Sequence, residues 1–180
     1  MTTVTVGGLP GTGTSTLCKL LSERLQMPYH YAGAIFREEA RRRGLSLADF
    51  GALCQKDPAI DEALDDRQLF LLKRGNLIME GRLSGWLAHR HRLNALKVWV
   101  SCEEKERMRR LVQRDGGDLE SQRELTWARE QSEADRYRRY YGVDLKDMAY
   151  YDLVLDSTGL KPEELADRVQ AALAVQAEKH

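Results

Sequence analysis

Val4-Thr5-Val6-Gly7-Gly8-Leu9-Pro10-Gly11-Thr12-Gly13-Thr14-Ser15-Thr16-Leu17 is the stretch from which the fold is read. A short β-branched run enters a glycine-rich turn, which opens into a helical pattern carried by Leu17, Leu20, Leu21 and Leu25. Gly8, Gly13 and Ser15 stand in register with the phosphate-loop motif G-x-x-x-x-G-K-[ST]. Glycines let the backbone turn its N–H groups inward around an anion, and the following helix N-terminus adds a favourable dipole. Gly8, Leu9, Pro10, Gly11, Thr12, Gly13, Thr14, Ser15 and Thr16 are therefore the candidate cradle for nucleotide phosphates. One position departs from the motif: Thr14 stands where lysine is expected. The loop either works without that charge, which normally sits at the β- and γ-phosphates, or does not work.

Outward from the loop, the composition is that of one ordinary globular domain: 180 residues, 42% hydrophobic and 31% charged. Lys plus Arg and Asp plus Glu both number 28, so the formal net charge of zero argues against a general nucleic-acid binder. Cys18, Cys54 and Cys102 are odd in number and far apart, which disfavours a disulfide framework or a zinc site. No apolar run approaches the roughly 20 residues of a membrane span, and the N-terminus has no signal-peptide pattern. A cytoplasmic monomer without membrane or specific nucleic-acid partners is expected.

Strands are predicted over 2–6, 28–31, 77–80, 96–101 and 151–156, and helices over 15–25, 33–43, 58–73, 103–114, to about 141, and from Pro162 near N1 of the closing helix. Ser46 caps a short helix, and Asp57-Pro58 opens the longer one after it. The alternation predicts an α/β P-loop NTPase fold, a five-stranded parallel sheet between helices, over 1–180 as a single domain. Two helical segments, about 34–74 and about 114–141, interrupt the simple alternation. Both read as insertions over the C-terminal edge of the sheet, where such folds bind ligands.

Leu77-Ile78-Met79-Glu80 is a strand ending in an acid, the pattern that sets a carboxylate beside a nucleotide-bound metal. Ser15 and Glu80 are thus the candidate Mg²⁺ residues; a surface acid at a strand end is the plainer alternative for Glu80. The segment Ala32-Gly33-Ala34-Ile35-Phe36-Arg37 resembles the acceptor-binding segment of nucleoside monophosphate kinases. Together with Glu80-Gly81-Arg82-Leu83-Ser84-Gly85-Trp86 it is similar to the cytidylate kinases, most of all the compact archaeal type. The likeness continues through 60–68, 129–137 and 151–158, so it covers nearly the whole chain. Position 32 is alanine where that pattern leads one to expect serine. A threonine-bearing loop in that branch would make Thr14 a trait of the family.

The resemblance implies transfer of the γ-phosphoryl group of ATP, with Mg²⁺, to CMP or dCMP. Arg37 and Arg82, with Gly33, would hold the acceptor phosphate, since guanidinium suits bidentate phosphate recognition. Arg110, Arg129 and Arg136 in the lid would stabilise the transferring group, work in which a single arginine can contribute on the order of 10³–10⁵ in rate. Asp61 or Asp65 would accept from the exocyclic amine of cytosine. Asp156-Ser157-Thr158 would hold the adenine, with Arg110 stacked on it. The bland alternatives are a solvated basic face at 37–43, surface pairs of the lid arginines with Glu106 and Glu133, and an acidic face paired with Arg67. The tryptophans Trp86, Trp99 and Trp127 read as packing, and His89 and His91 as surface. The rivals are a kinase for AMP, UMP or a small metabolite, and a nucleotide-binding pseudokinase.

Overall fold

A computed structural model describes residues 2–178. The strands are β1 (Thr3–Gly8), β2 (Tyr29–Tyr31), β3 (Leu77–Glu80), β4 (Leu96–Ser101) and β5 (Leu153–Asp156). The helices are α1 (Thr14–Leu25), α2 (Ala32–Arg42), α3 (Leu47–Lys56), α4 (Pro58–Arg74), α5 (Ser84–Arg90), α6 (Glu104–Asp115), α7 (Leu119–Tyr141) and α8 (Pro162–Glu178). The sheet runs β2-β3-β1-β4-β5 and every pairing is parallel. The expected fold class is borne out.

β1 occupies the centre because it is apolar or β-branched on both faces. Val4, Val6 and Thr5 are wholly buried, as a central parallel strand requires. On one face α1 and α8 close the main core, with Leu17, Cys18 and Leu21 meeting Leu165, Ala166 and Val169 around Val98 and Val100. The other face is covered by Leu83, at the N-cap of α5, and Leu87 within it, with Val143 and Leu145, and by an aromatic group of Trp99, Tyr150 and Tyr151. Helices α2 to α4 build a small core of their own from Ile35, Ala40, Phe50, Cys54, Ile60 and Leu64. Local chemistry sets their ends: the Ser46 hydroxyl accepts from the Asp49 amide at 3.1 Å, and Asp57 accepts from the Ala59 amide at 3.0 Å with Pro58 following.

Parallel pairing puts all five strand ends on one edge. In that register Val6 faces Glu80 and Gly8 faces Val100, so the phosphate loop and the strand-end acid lie side by side. Four details differ from the sequence reading. β1 continues through Gly7 and Gly8, because β4 offers it a pairing partner at both. β5 starts only at Leu153, since Tyr151 has turned under the loop into the aromatic group. α5 was not anticipated: seven residues with Gly85 near the start are too short for a helical period to show. Trp127, expected to pack, is 63% exposed on α7. Among the described residues no helix is long and apolar enough to cross a membrane.

Gly85 tests the packing beneath the loop. A Cβ there would lie 2.5 Å from Cε1 of Tyr151, whose ring is wedged against Trp99 and Tyr150. Helix propensity alone favours alanine by about 1 kcal/mol. Overpacking outweighs it, so Gly85→Ala is expected to lower stability by about 1–3 kcal/mol in urea unfolding. A raised midpoint would show that the aromatic group can yield.

Candidate active site

The phosphate loop has the form its glycines allow. Gly11 and Gly13 take left-handed φ values of 83° and 90°. Gly11 also lies against α6, where a Cβ would come within 2.7 Å of the Arg107 carbonyl oxygen. Gly13 is the N-cap of α1 and offers no capping side chain, so the first-turn N–H groups of α1 stay available to an anion. Thr12 is buried and its hydroxyl donates to the Leu9 carbonyl at 2.8 Å, which closes the turn from inside.

Glu80 is buried at 5% exposure, which removes the surface-acid alternative. One carboxylate oxygen accepts from the Thr14 hydroxyl at 2.7 Å and the Ser15 hydroxyl at 2.8 Å. The other accepts from the Tyr29 phenol of β2 in a short hydrogen bond. Burial, and then the Glu80 carboxylate, push the Tyr29 phenol well above its ordinary range. The side chain of Thr14 thus faces Glu80. Tyr29 escaped the sequence reading, since its partner lies 51 residues away. Ser15 and Glu80 supply only hard oxygen donors with a single carboxylate, which fits Mg²⁺ taking its other ligands from phosphates and water.

Beyond the turn after β3, Arg82 pairs with Glu133 of α7, and both side chains are mostly buried. The other Glu133 oxygen lies 3.1 Å from Nε of Arg129, so one carboxylate bridges two arginines. Burial lowers the pKa of Arg82, and the positive Arg129 adds to that effect. Arg37 is exposed, its guanidinium 5.2 Å from the centre of the Tyr31 ring. Gly33 lies under that ring: a Cβ there would sit 2.5 Å from Cζ of Tyr31 and push the ring aside.

Deeper between α4 and α7, Asp61 lies 2.9 Å from Nε of Arg136, and both side chains are mostly buried. Asp65 accepts from the Gln68 amide at 2.9 Å and from the Tyr141 phenol. Burial is the main cause that pushes the Asp65 carboxyl up to about 7, and the nearby Asp61 charge adds to it. Asp61 is raised as well, chiefly by burial, with Arg136 opposing.

The lid arginines do not gather at one point. Arg110 donates to the Ser157 carbonyl at 2.8 Å and the Ser157 hydroxyl at 3.1 Å. Ser157 donates in turn to the Thr12 carbonyl at 2.7 Å. Arg110 therefore stands at the outer side of the phosphate loop, apart from Arg129 at Glu133 and Arg136 at Asp61. Arg107, one helical turn before Arg110, is buried, and donates to the Pro10 carbonyl at 3.0 Å and to Glu130 at 2.6 Å.

A model of the cytidylate kinase-like family matches residues 3–159. A cytidylate kinase of Methanosarcina mazei is 40% identical over 172 residues, covering 94% of this chain and 95% of that protein. One from Methanopyrus kandleri is 38% identical over 177 residues, covering 94% and 92%. Among solved structures, shikimate kinase from Bacteroides thetaiotaomicron superposes with a TM-score of 0.62 at 13% identity, covering 96% of this chain and 98% of that one. Shikimate kinase from Aquifex aeolicus gives 0.58 at 19%, covering 98% of each. These two likenesses are of fold.

The raised Asp65 and Asp61 carry a pH signature. Folded, they hold protons that the unfolded chain has released, so stability present below about pH 4 is lost as pH rises towards 7. Asp65→Asn is expected to flatten the fall in unfolding midpoint between pH 5 and pH 8. Parallel slopes for the two proteins would place the dependence elsewhere.

Proposed function

The chain belongs to the cytidylate kinase-like family, and from that premise we propose the following division of labour in an ATP-dependent cytidylate kinase. The observation that carries it is the order Glu80-Gly81-Arg82 at the end of β3. It sets an acid joined to the phosphate loop beside an arginine facing the other way, towards α7. Donor and acceptor phosphates meet across that turn.

The N–H groups of residues 11–15 hold the donor phosphates of ATP. Ser15 and Glu80 hold Mg²⁺, which when bound neutralises charge on the donor phosphates. Arg82 and Arg37 hold the phosphate of CMP or dCMP. Arg82 is held by Glu133 until the acceptor arrives, so one anion replaces another at the same guanidinium. The acceptor phosphate is already anionic and needs no strong base. Catalysis then rests on positioning and on charge stabilisation.

The missing loop lysine has two kinds of replacement. Thr14 supplies a neutral hydrogen bond to Glu80 in place of an ammonium. Positive charge comes from the arginines: Arg107 and Arg110 brace the loop, while Arg129, sharing Glu133 with Arg82, stabilises the transferring phosphoryl group.

Purified protein with ATP·Mg²⁺ is expected to phosphorylate CMP and dCMP in a coupled assay over CMP, dCMP, UMP, AMP and shikimate. Turnover of AMP with CMP inert would refute the reading. Arg82→Ala should cut kcat/KM for CMP by roughly 10²–10³-fold, the scale of losing a buried charge-assisted contact. Thr14→Lys should bring no gain, because the new ammonium would pair with Glu80. Large activation of an otherwise inert enzyme by that change would mark the natural loop as defective.

A further inference from the structure

Gln68 holds an unusual position. The residue is only 6% exposed, and its side-chain oxygen is buried without a hydrogen-bond partner among the described residues. Its amide nitrogen donates to Asp65 at 2.9 Å, while the second Asp65 oxygen is taken by Tyr141. Above about pH 7, where the Asp65 carboxyl is ionised, it can only accept, so it fixes which way round the amide sits: NH₂ towards Asp65, carbonyl oxygen away from it. A buried carbonyl left unpaired in this way is costly to keep, and the cost is relieved by a donor from outside the chain.

The direction of that oxygen is informative. A Cβ built on Gly81 would lie 3.2 Å from it and 3.0 Å from the Cβ of Ala32. The oxygen therefore lies over the Glu80-Gly81-Arg82 turn and the start of α2, the two segments that bear Arg82 and Arg37. Asp61, Asp65 and Gln68 recur at spacings of four and three, so they share one face of α4. Arg136 and Tyr141 of α7 meet that face. On it the Asp61 carboxylate is ion-paired with Arg136, one of its oxygens making no hydrogen bond among the described residues, and both oxygens of Asp65 already have donors. The Gln68 oxygen is the uncommitted neutral acceptor, and it is the one turned towards the Gly81 turn.

We propose that Gln68 distinguishes cytosine from uracil, its side-chain oxygen accepting from the exocyclic amine at position 4 of the acceptor base while Asp65 holds the amide in that orientation. This rests on the cytidylate kinase reading and shifts base recognition from the carboxylates Asp61 and Asp65 to the amide they flank. Uracil carries a carbonyl at position 4. Two carbonyl oxygens would face each other unpaired, the kind of mismatch that gives strong rejection. The oxygen is screened from solvent, so the base reaches it as α7 withdraws from α4.

The test measures kcat/KM for CMP, UMP and the monophosphate of pyrimidin-2-one ribonucleoside, which lacks any group at position 4. Wild type, Gln68→Met and Asp65→Asn are compared, with folding checked by thermal melting. Wild type is expected to prefer CMP over the pyrimidin-2-one compound by about tenfold or more, and Gln68→Met to abolish that preference. Asp65→Asn can donate to Gln68 and let its amide turn over, so it should lower the CMP/UMP ratio about tenfold or more and raise kcat/KM for UMP. A packing role for Gln68 would lower all three substrates together and leave the ratios unchanged, which overturns the proposal. If Gln68→Met fails to fold, Asp65→Asn decides through the CMP/UMP ratio. If both fail, equal wild-type use of CMP and the pyrimidin-2-one compound rejects amine recognition, while a tenfold preference supports it. Failure of wild type to phosphorylate CMP at all would instead sink the cytidylate kinase reading.

Discussion

The buried carboxylate of Glu80 is the constraint on which the candidate site depends. A carboxylate removed from water needs several hydrogen bonds or a cation. Here three hydroxyls meet it, from Thr14 and Ser15 at the start of α1 and from Tyr29 on β2. Those donors fasten the mouth of the phosphate loop to the edge of the sheet. They also give position 14 a physical meaning. A lysine there would set an ammonium next to Glu80, whereas threonine meets one of its lone pairs with a neutral hydrogen bond. The departure from the common motif and the three-hydroxyl shell belong to one arrangement.

A second constraint is the pairing of opposite charges along α7. Glu130 holds Arg107, Glu133 holds Arg82, and Arg136 meets Asp61. Spacings of three place these residues on neighbouring turns of one helix. They reach α6, the turn after β3, and α4. The zero net charge of the chain hides this order, because the arginines along the cleft are matched by acids, Arg82 and Arg129 sharing Glu133. On the proposed division of labour, anionic substrates would enter by exchange with those acids. The lone exception among the candidate phosphate ligands is Arg37, which rests on Tyr31 in the open.

Much of the fold was legible because its signals are local. β3 and β4 run over the residues their apolar runs indicate, and Ser46, Asp57 and Pro58 mark helix ends by their own chemistry. Gly8, Gly13, Ser15 and Glu80 could be aligned because loop and strand-end acid follow strands that pair side by side. What stayed hidden depends on distance along the chain. Spacing of three or four shows Arg110 beside Glu106 and Arg129 beside Glu133, but nothing local joins Glu133 to Arg82, Arg136 to Asp61 or Tyr141 to Asp65. For the same reason three arginines grouped by sequence as one catalytic set stand at three separate places.

The three tryptophans fall into three different surroundings. Trp99 is buried in the sheet, Trp86 lies against Tyr141 and Arg90, and Trp127 stands in solvent on the helix that spans the cleft. Indole emission shifts and quenches according to contact with water, so this chain carries its own optical reporter of lid position. Trp127 would respond to soluble quenchers if α7 moves on nucleotide binding, with Trp99 as the shielded internal standard, so such a movement could be followed in real time without attaching a dye.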